Sequence, residues 1–132
     1  MNLMPKKIVE TSNVPPPDAT FSNATIGGGF IFVAGQVGVD LKGEVKVGIA
    51  EQTRQALNNI KTIIEAAGSS LENVMRVGVY LRDMNDFDEM DKIYRTFFPQ
   101  KSTGQNYSAD ADWRQKMRYR DRSCRPARIV LS

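Results

Sequence analysis

The stretch IAEQTRQALNNIKTIIEAAG, residues 49–68, decides the fold of this chain. Its apolar residues recur at spacings of three and four, which predicts an amphipathic helix with one buried face. Gly68 is typical of the residue just past a helix C-terminus, because glycine tolerates the left-handed backbone found there. The predicted inner face consists of Ile49, Thr53, Ala56, Leu57, Ile60, Ile63, Ile64 and Ala67, and Glu51, Arg54, Gln55, Asn58, Lys61 and Glu65 fall on the opposite side.

Two short extended segments precede this helix. Residues 20–26 and 30–35 flank three consecutive glycines, a pattern that predicts an antiparallel hairpin. The second segment, FIFVAG, is rich in aromatic and β-branched residues and is typical of a buried strand. Residues 38–48, bounded by Gly38 and Gly48, predict a loop or a second short hairpin.

A strand and a second helix follow the first helix. Residues 74–81, VMRVGVYL, predict the strand, and Asp86 is positioned to cap the helix that Pro99 ends. The order β-β-α-β-α predicts an α+β fold with helices against one face of a sheet. Each helix has a single apolar side, so we expect a partner subunit to cover the other face of the sheet. The second helix carries Phe87, Met90, Tyr94, Phe97 and Phe98 on its inner face.

Composition limits the class of protein. The 132 residues predict one domain, 1–132, and the absence of His with a single Cys excludes a disulfide framework and a zinc site or catalytic triad of the usual kind. The first residues, MNLMPKKIVE, lack the apolar stretch of a secretory signal, and no segment approaches the length of a membrane span, so we expect a cytoplasmic protein.

The charge is unevenly distributed along the chain. Residues 1–100 carry ten Lys and Arg against twelve Asp and Glu, whereas residues 101–132 carry eight against three, which raises their net charge to +5. The stretch WRQKMRYR, residues 113–120, interleaves aromatic and cationic side chains as nucleic-acid-binding segments do. A solvated basic tail would show the same pattern, and it is the preferred interpretation.

Two further features bear on a possible site. Ala34-Gly35-Gln36 ends the buried strand, where an exposed backbone amide can meet a ligand, although a strand that simply ends at glycine would look the same. The acidic residues around the second helix are interpreted as a cap and a dipole-compensating face, not as a metal site. They are Asp83, Asp86, Asp88, Glu89 and Asp91.

Residues 13–98 resemble the RidA/YjgF family of reactive-intermediate deaminases. The resemblance is carried by FIFVAGQVGVD and by EQTRQALNNIKTIIEAAGSSLENVMRVGVYLRDMNDFDEMDKIYRTFFP. It implies a chorismate-mutase-like mixed sheet with two helices on one face, assembled as a homotrimer with ligand clefts between subunits. It also implies hydrolysis of small enamines and imines to 2-keto acids and ammonia without a metal or an organic cofactor. Some family members have instead been described as ribonucleases or translation inhibitors.

The resemblance also implies substrate-binding residues. The Gly35 amide is retained, whereas Ala34 stands where the family usually has Ser, and Phe21 stands where it commonly has Tyr. Asp91 stands where the family often has Asn. A non-catalytic trimer that binds small carboxylates or a protein partner is the first alternative to a deaminase, and RNA association through the basic residues is the second.

Residues 101–132 depart from the family pattern. Counting from Phe98, the family's carboxylate-binding Arg falls on Gln105 and its proton-relaying acid falls on Arg120, and neither side chain can do that chemistry. One coding sequence compatible with residues 101–108, shifted by a nucleotide, reads Asn-Pro-Pro-Ala-Arg-Thr-Thr, which is the family's segment. In the same frame, residues 119–122 can yield Ile-Glu-Ile-Asp. Our hypothesis is that residues 101–132 are out of frame relative to a family member, and the alternative is a genuinely divergent tail. Loss of the closing strands would leave sheet edges open. Without the Arg and the acid, we expect this chain to be a crippled deaminase.

Overall fold

The first three strands form an antiparallel sheet. A computed structural model describes residues 5–17, 20–99, 104–109 and 129–131. Strands β1 (Lys7–Val9), β2 (Ala24–Gly27) and β3 (Phe30–Val33) lie side by side in that order. The predicted hairpin is confirmed: Gly27 pairs with Phe30, and the turn uses Gly28 and Gly29 at φ of 58° and 82°. Strand β1 was not predicted, because three residues are too few to show an alternating pattern.

The remaining strands form a mixed sheet around β4 (Arg76–Leu81). Strand β5 (Gly104–Ala109) runs parallel to β4, and β6 (Ile129–Leu131) runs antiparallel to it on the other side. The closing strands are therefore present, although residues 101–132 depart from the family pattern. Backbone hydrogen bonds pair strands whatever their side chains, so β5 and β6 pair with β4 although their own sequences show no sustained period.

Two helices pack against the inner side of β4. Helix α1 (Ile49–Ala66) confirms the prediction, and the chain leaves it through Gly68 at φ 87°. Helix α2 (Phe87–Phe97) packs on α1 and buries Met90 and Tyr94 completely. Each such side chain contributes about 1.5–3 kcal/mol relative to leaving it in water. The larger core combines Ile49, Ala56, Leu57, Ile60, Ile64, Val77, Val79, Leu81, Met90, Tyr94 and Phe98, and a smaller core under β1 and β2 combines Val9, Val14, Ala24 and Ile63.

The start of α2 differs from the prediction. Asp86 has helical backbone angles, φ −83° and ψ −2°, and its side chain makes no capping hydrogen bond. A 3-10 turn over Met84–Asp86 precedes the helix instead, and the Asp83 carboxylate accepts from the Asn85 N–H at 2.9 Å. The acidic cluster thus supplies a cap, as expected, but from Asp83 one turn earlier.

The outer side of the first sheet carries exposed apolar side chains, among them Ile8, Phe30 and Phe32. In β3 the side chains alternate, so Ile31 and Val33 pack inward while Phe30 and Phe32 point outward. Phe32 is 64% exposed, and the register places it in one row with Thr25 and Ile8. Among the described residues, no helix has the length and apolar content that crossing a membrane requires.

Candidate functional site

The chain leaves β3 at Ala34 and Gly35, where the sequence predicted an exposed amide. The Ala34 N–H donates to the Asn23 carbonyl at 3.0 Å, which prolongs the pairing of the hairpin by one bond. Gly35 is exposed, and its N–H has no acceptor within the part of the chain that the structure describes. The strand end therefore presents a backbone donor to solvent.

Asn23 links Phe21 to this strand end. Phe21 lies two residues before Asn23, and its ring is 69% exposed. Asn23 itself is only 2% exposed, and its Oδ1 accepts from the Thr11 N–H at 3.0 Å while its carbonyl accepts from Ala34. The structure thus anchors the segment that carries Phe21 to Ala34 through Asn23, and a substrate site shared by Phe21, Ala34 and Gly35 stays a prediction.

Residues 34–48, called the site loop below, are held on α1 by amide side chains. Asn59 is 4% exposed, and its Nδ2 donates to the carbonyl oxygens of Val37 and Val39 at 3.4 and 3.0 Å. Its Oδ1 accepts from Gln55 Nε2 at 2.9 Å, so the whole amide group is engaged. Buried polar groups are favourable only when they are paired in this way.

The second half of the site loop is a short hairpin. Val39 and Val45 form an isolated antiparallel bridge, and Gln52 Nε2 on α1 donates to the Lys46 carbonyl at 2.9 Å. Gly38 packs directly on Gln52: a Cβ at this position would lie 2.5 Å from the Gln52 Cα. No side chain larger than hydrogen fits there without backbone movement.

Asp40 organises the tip of that hairpin. Its Oδ1 accepts from the N–H groups of Lys42 and Glu44 at 3.0 and 2.9 Å, and its Oδ2 lies 3.0 Å from Lys46 Nζ. The Glu44 N–H, followed by the Lys46 ammonium, lowers the pKa of the Asp40 carboxyl, and the same ion pair raises the pKa of Lys46. These contacts shape the loop and engage both oxygens of the carboxylate.

Asp91 lies on a different element from the other predicted site residues. It is on the first half of α2, and its Oδ2 accepts from Arg95 Nε at 2.8 Å. Nearby, burial and then the charge of Asp83 raise the pKa of the Asp86 carboxyl. A role for Asp91 in substrate binding stays a prediction.

The two positions where the family resemblance implies catalytic side chains fall in the last part of the chain. Gln105 lies on β5 with its backbone in register with Val77, and Arg120 lies outside the described residues. Among the described residues, no group of three or more metal-binding side chains is arranged to hold a metal ion.

Sequence reasoning missed the amide side chains that shape the site. Gln52 and Asn59 are seven residues apart on α1, the spacing of one helix face, and both are buried. That spacing was a usable signal, but polar residues at helical positions are more often solvated. Gln36 was also not assigned a role, although its Nε2 donates to the Ala34 carbonyl at 3.1 Å.

Comparison with known proteins agrees with this architecture. The sequence profile of the family described as Endoribonuclease L-PSP matches residues 11–129. A RutC family protein of Pyrococcus horikoshii is 50% identical over 95 residues, which are 70% of this chain and 75% of that protein. The 2-iminobutanoate/2-iminopropanoate deaminase of Rattus norvegicus is 37% identical over 100 residues, covering 74% of this chain and 73% of the relative.

The fold is also found in a solved structure. The crystal structure of E. coli TdcF with bound serine superposes with a TM-score of 0.77 and 25% identity, covering 96% of this chain and 97% of that chain. The small α+β fold with two helices is therefore shared with that protein. Because the profile matches most of the sequence, the chain belongs to the endoribonuclease L-PSP family, also called RidA/YjgF.

Proposed function

We propose that this protein binds small 2-imino and 2-keto acids at Gly35 and belongs functionally with the 2-iminobutanoate/2-iminopropanoate deaminases. The observation that carries the proposal is the exposed Gly35 N–H beside the Phe21 segment, a donor suited to a carboxylate or carbonyl oxygen. Two relatives support it: the rat protein named for this deaminase activity, and TdcF, which binds serine, a small amino acid of similar size.

The reaction adds one water to the C=N bond. Water attacks the imine carbon and one of its protons moves to the nitrogen. The proton of the new hydroxyl then also moves to the nitrogen, and the C–N bond breaks to give a 2-keto acid and ammonia. The reaction needs a group that holds the carboxylate and a group that moves protons. With no His in the chain and with Gln105 and Arg120 at the expected positions, neither the Arg that would hold the carboxylate nor the acid that would move protons is present there.

We therefore propose that the protein with its present residues 101–132 binds these ligands weakly and turns them over slowly. An Arg–carboxylate hydrogen bond is worth about 1.5–3 kcal/mol, so its loss weakens binding roughly tenfold or more. A missing general acid–base lowers the rate by about 10²–10⁴. Binding without efficient turnover is the outcome that the present residues 101–132 favour.

We propose a homotrimer as the functional assembly. The outward side chains of Ile8, Phe30 and Phe32 form an apolar surface on the first sheet, and an apolar surface on a single chain favours a protein partner. A second copy of the chain is the partner that the family resemblance implies. In that assembly the Gly35 site lies in a cleft between subunits.

Restoring the shifted reading frame tests both the function and the origin of residues 101–132. The measurement is the rate of ammonia release from 2-aminoacrylate that a dehydratase generates. It compares the present protein with a variant in which residues 101–132 are translated from the shifted reading frame. We expect this variant to be faster by at least 10². If both chains match the rate without protein, the proposed activity is wrong.

A matched pair of variants links the activity to Gly35. Gly35→Pro removes the N–H, whereas Gly35→Ala keeps it, and Gly35 does not have the positive φ that would exclude alanine. In the chain with the shifted reading, we expect Gly35→Pro to lose most of the activity and Gly35→Ala to retain most of it. Equal losses would show that the N–H is not the group that matters.

A further inference from the structure

Two hydrogen bonds hold the backbone immediately before the Gly35 N–H. The Ala34 N–H donates to the Asn23 carbonyl at 3.0 Å, and Gln36 Nε2 donates to the Ala34 carbonyl at 3.1 Å. The Ala34 carbonyl and the Gly35 N–H belong to one planar peptide group and point in opposite directions. A donor fixed on that carbonyl therefore sets the direction of the Gly35 N–H.

The neighbouring segment cannot turn freely either. Asn59 holds the carbonyl oxygens of Val37 and Val39, so Gln36 lies between two anchored stretches. A hydrogen bond accepted by a carbonyl also polarises its peptide group and strengthens the N–H as a donor, by about 10–30% in condensed-phase estimates. Gln36 thus acts on both the direction and the strength of the donor.

We propose that Gln36 is a positioning residue: through the Ala34 carbonyl it holds the Gly35 N–H outward as the donor for an oxygen of the bound 2-keto or 2-imino acid. The identity of the ligand rests on the proposed function. The orientation of the peptide group does not, because it follows from contacts within the chain. Gln36 itself need not touch the ligand.

The test compares Gln36→Met with Thr62→Val in the full-length, ¹⁵N-labelled protein. Methionine keeps the length of the side chain and removes the donor. Thr62 is a matched control because its Oγ1 also donates to a backbone carbonyl, that of Asn58 at 2.9 Å, and valine removes this donor outside the site loop. The first readout is the Gly35 amide resonance without ligand, and the second is its titration with 2-oxobutanoate.

We expect Gln36→Met to move the Gly35 resonance of the unligated protein and to raise the Kd for 2-oxobutanoate about three- to tenfold, the effect of one ordinary hydrogen bond. Thr62→Val should do neither, and both variants should keep a similar Tm. An unmoved Gly35 resonance, or a Kd equal to that of the wild type, overturns the proposal.

A second variant and the titration of the wild type distinguish failure of this proposal from failure of the proposed function. If Gln36→Met does not fold, Gln36→Glu retains a polar group of the same length without an amide donor, and it should move the Gly35 resonance as well; an unmoved resonance there overturns the proposal. If 2-oxobutanoate shifts no resonance of the wild type, the proposed function fails. The Gly35 resonance of the unligated protein still decides the role of Gln36 in that case.

Discussion

Helix α1 makes two kinds of contact along one buried surface. Towards the sheet and α2 it packs apolar side chains such as Leu57 and Ile60, whereas towards the site loop it extends the amides of Gln52 and Asn59. Apolar packing contributes stability but is not directional, while an amide hydrogen bond fixes particular carbonyl groups in place. The difference indicates that the stability of the fold and the geometry of the site depend on separate residues of the same helix.

The largest effect should come from the apolar contacts. Leu57 is fully buried in the larger core, so Leu57→Ala should lower the free energy of unfolding by about 3 kcal/mol, through lost transfer energy and a residual cavity. Denaturant unfolding measures this, with the exposed Lys61→Ala as the control. A loss below about 1 kcal/mol would contradict the assignment of this surface to stability.

Asn59→Ala should affect both stability and the site. It leaves the Val39 carbonyl without its donor, while the Val37 carbonyl keeps the Val39 N–H at 2.8 Å, and an unsatisfied buried group costs about 1–3 kcal/mol. We expect a loss of about 2 kcal/mol together with shifted amide resonances across the site loop. Asn58→Ala is the matched control, because Asn58 is the exposed neighbour. Unshifted site-loop resonances in Asn59→Ala would remove the distinction between the two kinds of contact.

Gly38→Ala tests how closely the site loop must approach the helix. The new Cβ would lie within 3 Å of Gln52 backbone atoms, so the loop must move away, at a cost of about 1–2 kcal/mol. Gly27→Ala is the control because nothing lies within 4 Å of its added Cβ. Thermal unfolding compares the two variants. An equal Tm would show that the site loop can move away from Gln52 without loss of stability.

The smallest effect should come from the ion pair at the loop tip. The pKa of Asp40 is lower in the folded protein, so its carboxylate stabilises the fold above the usual carboxyl range, and this contribution is lost as the pH falls through the folded pKa. Asp40→Asn should therefore be slightly less stable than the wild type at neutral pH and equal to it in acid. Tm measured against pH checks this, with the exposed Glu72→Gln as the control. A constant difference across the pH range would contradict it.

Much of the fold could be predicted because its signals are local. The apolar period of residues 49–67 indicates which face of the helix is buried, and the glycines at 27–29 indicate where the chain turns. The site was less predictable, since Gln36, Asn23 and Asn59 act on backbone carbonyl and N–H groups, which are alike at every position. Strands β5 and β6 were missed for a related reason: their partner β4 supplies the pairing, and their own residues carry no period.

The central place of β4 has a consequence for how the protein is made. Both of its neighbours come from later in the chain, β5 from 104–109 and β6 from 129–131. During translation β4 therefore emerges from the ribosome with two open hydrogen-bonding edges, and such edges recruit strands from other chains. Nascent chains that stall after Pro99 should aggregate or require chaperones, and the sheet should close only once residue 131 has left the exit tunnel.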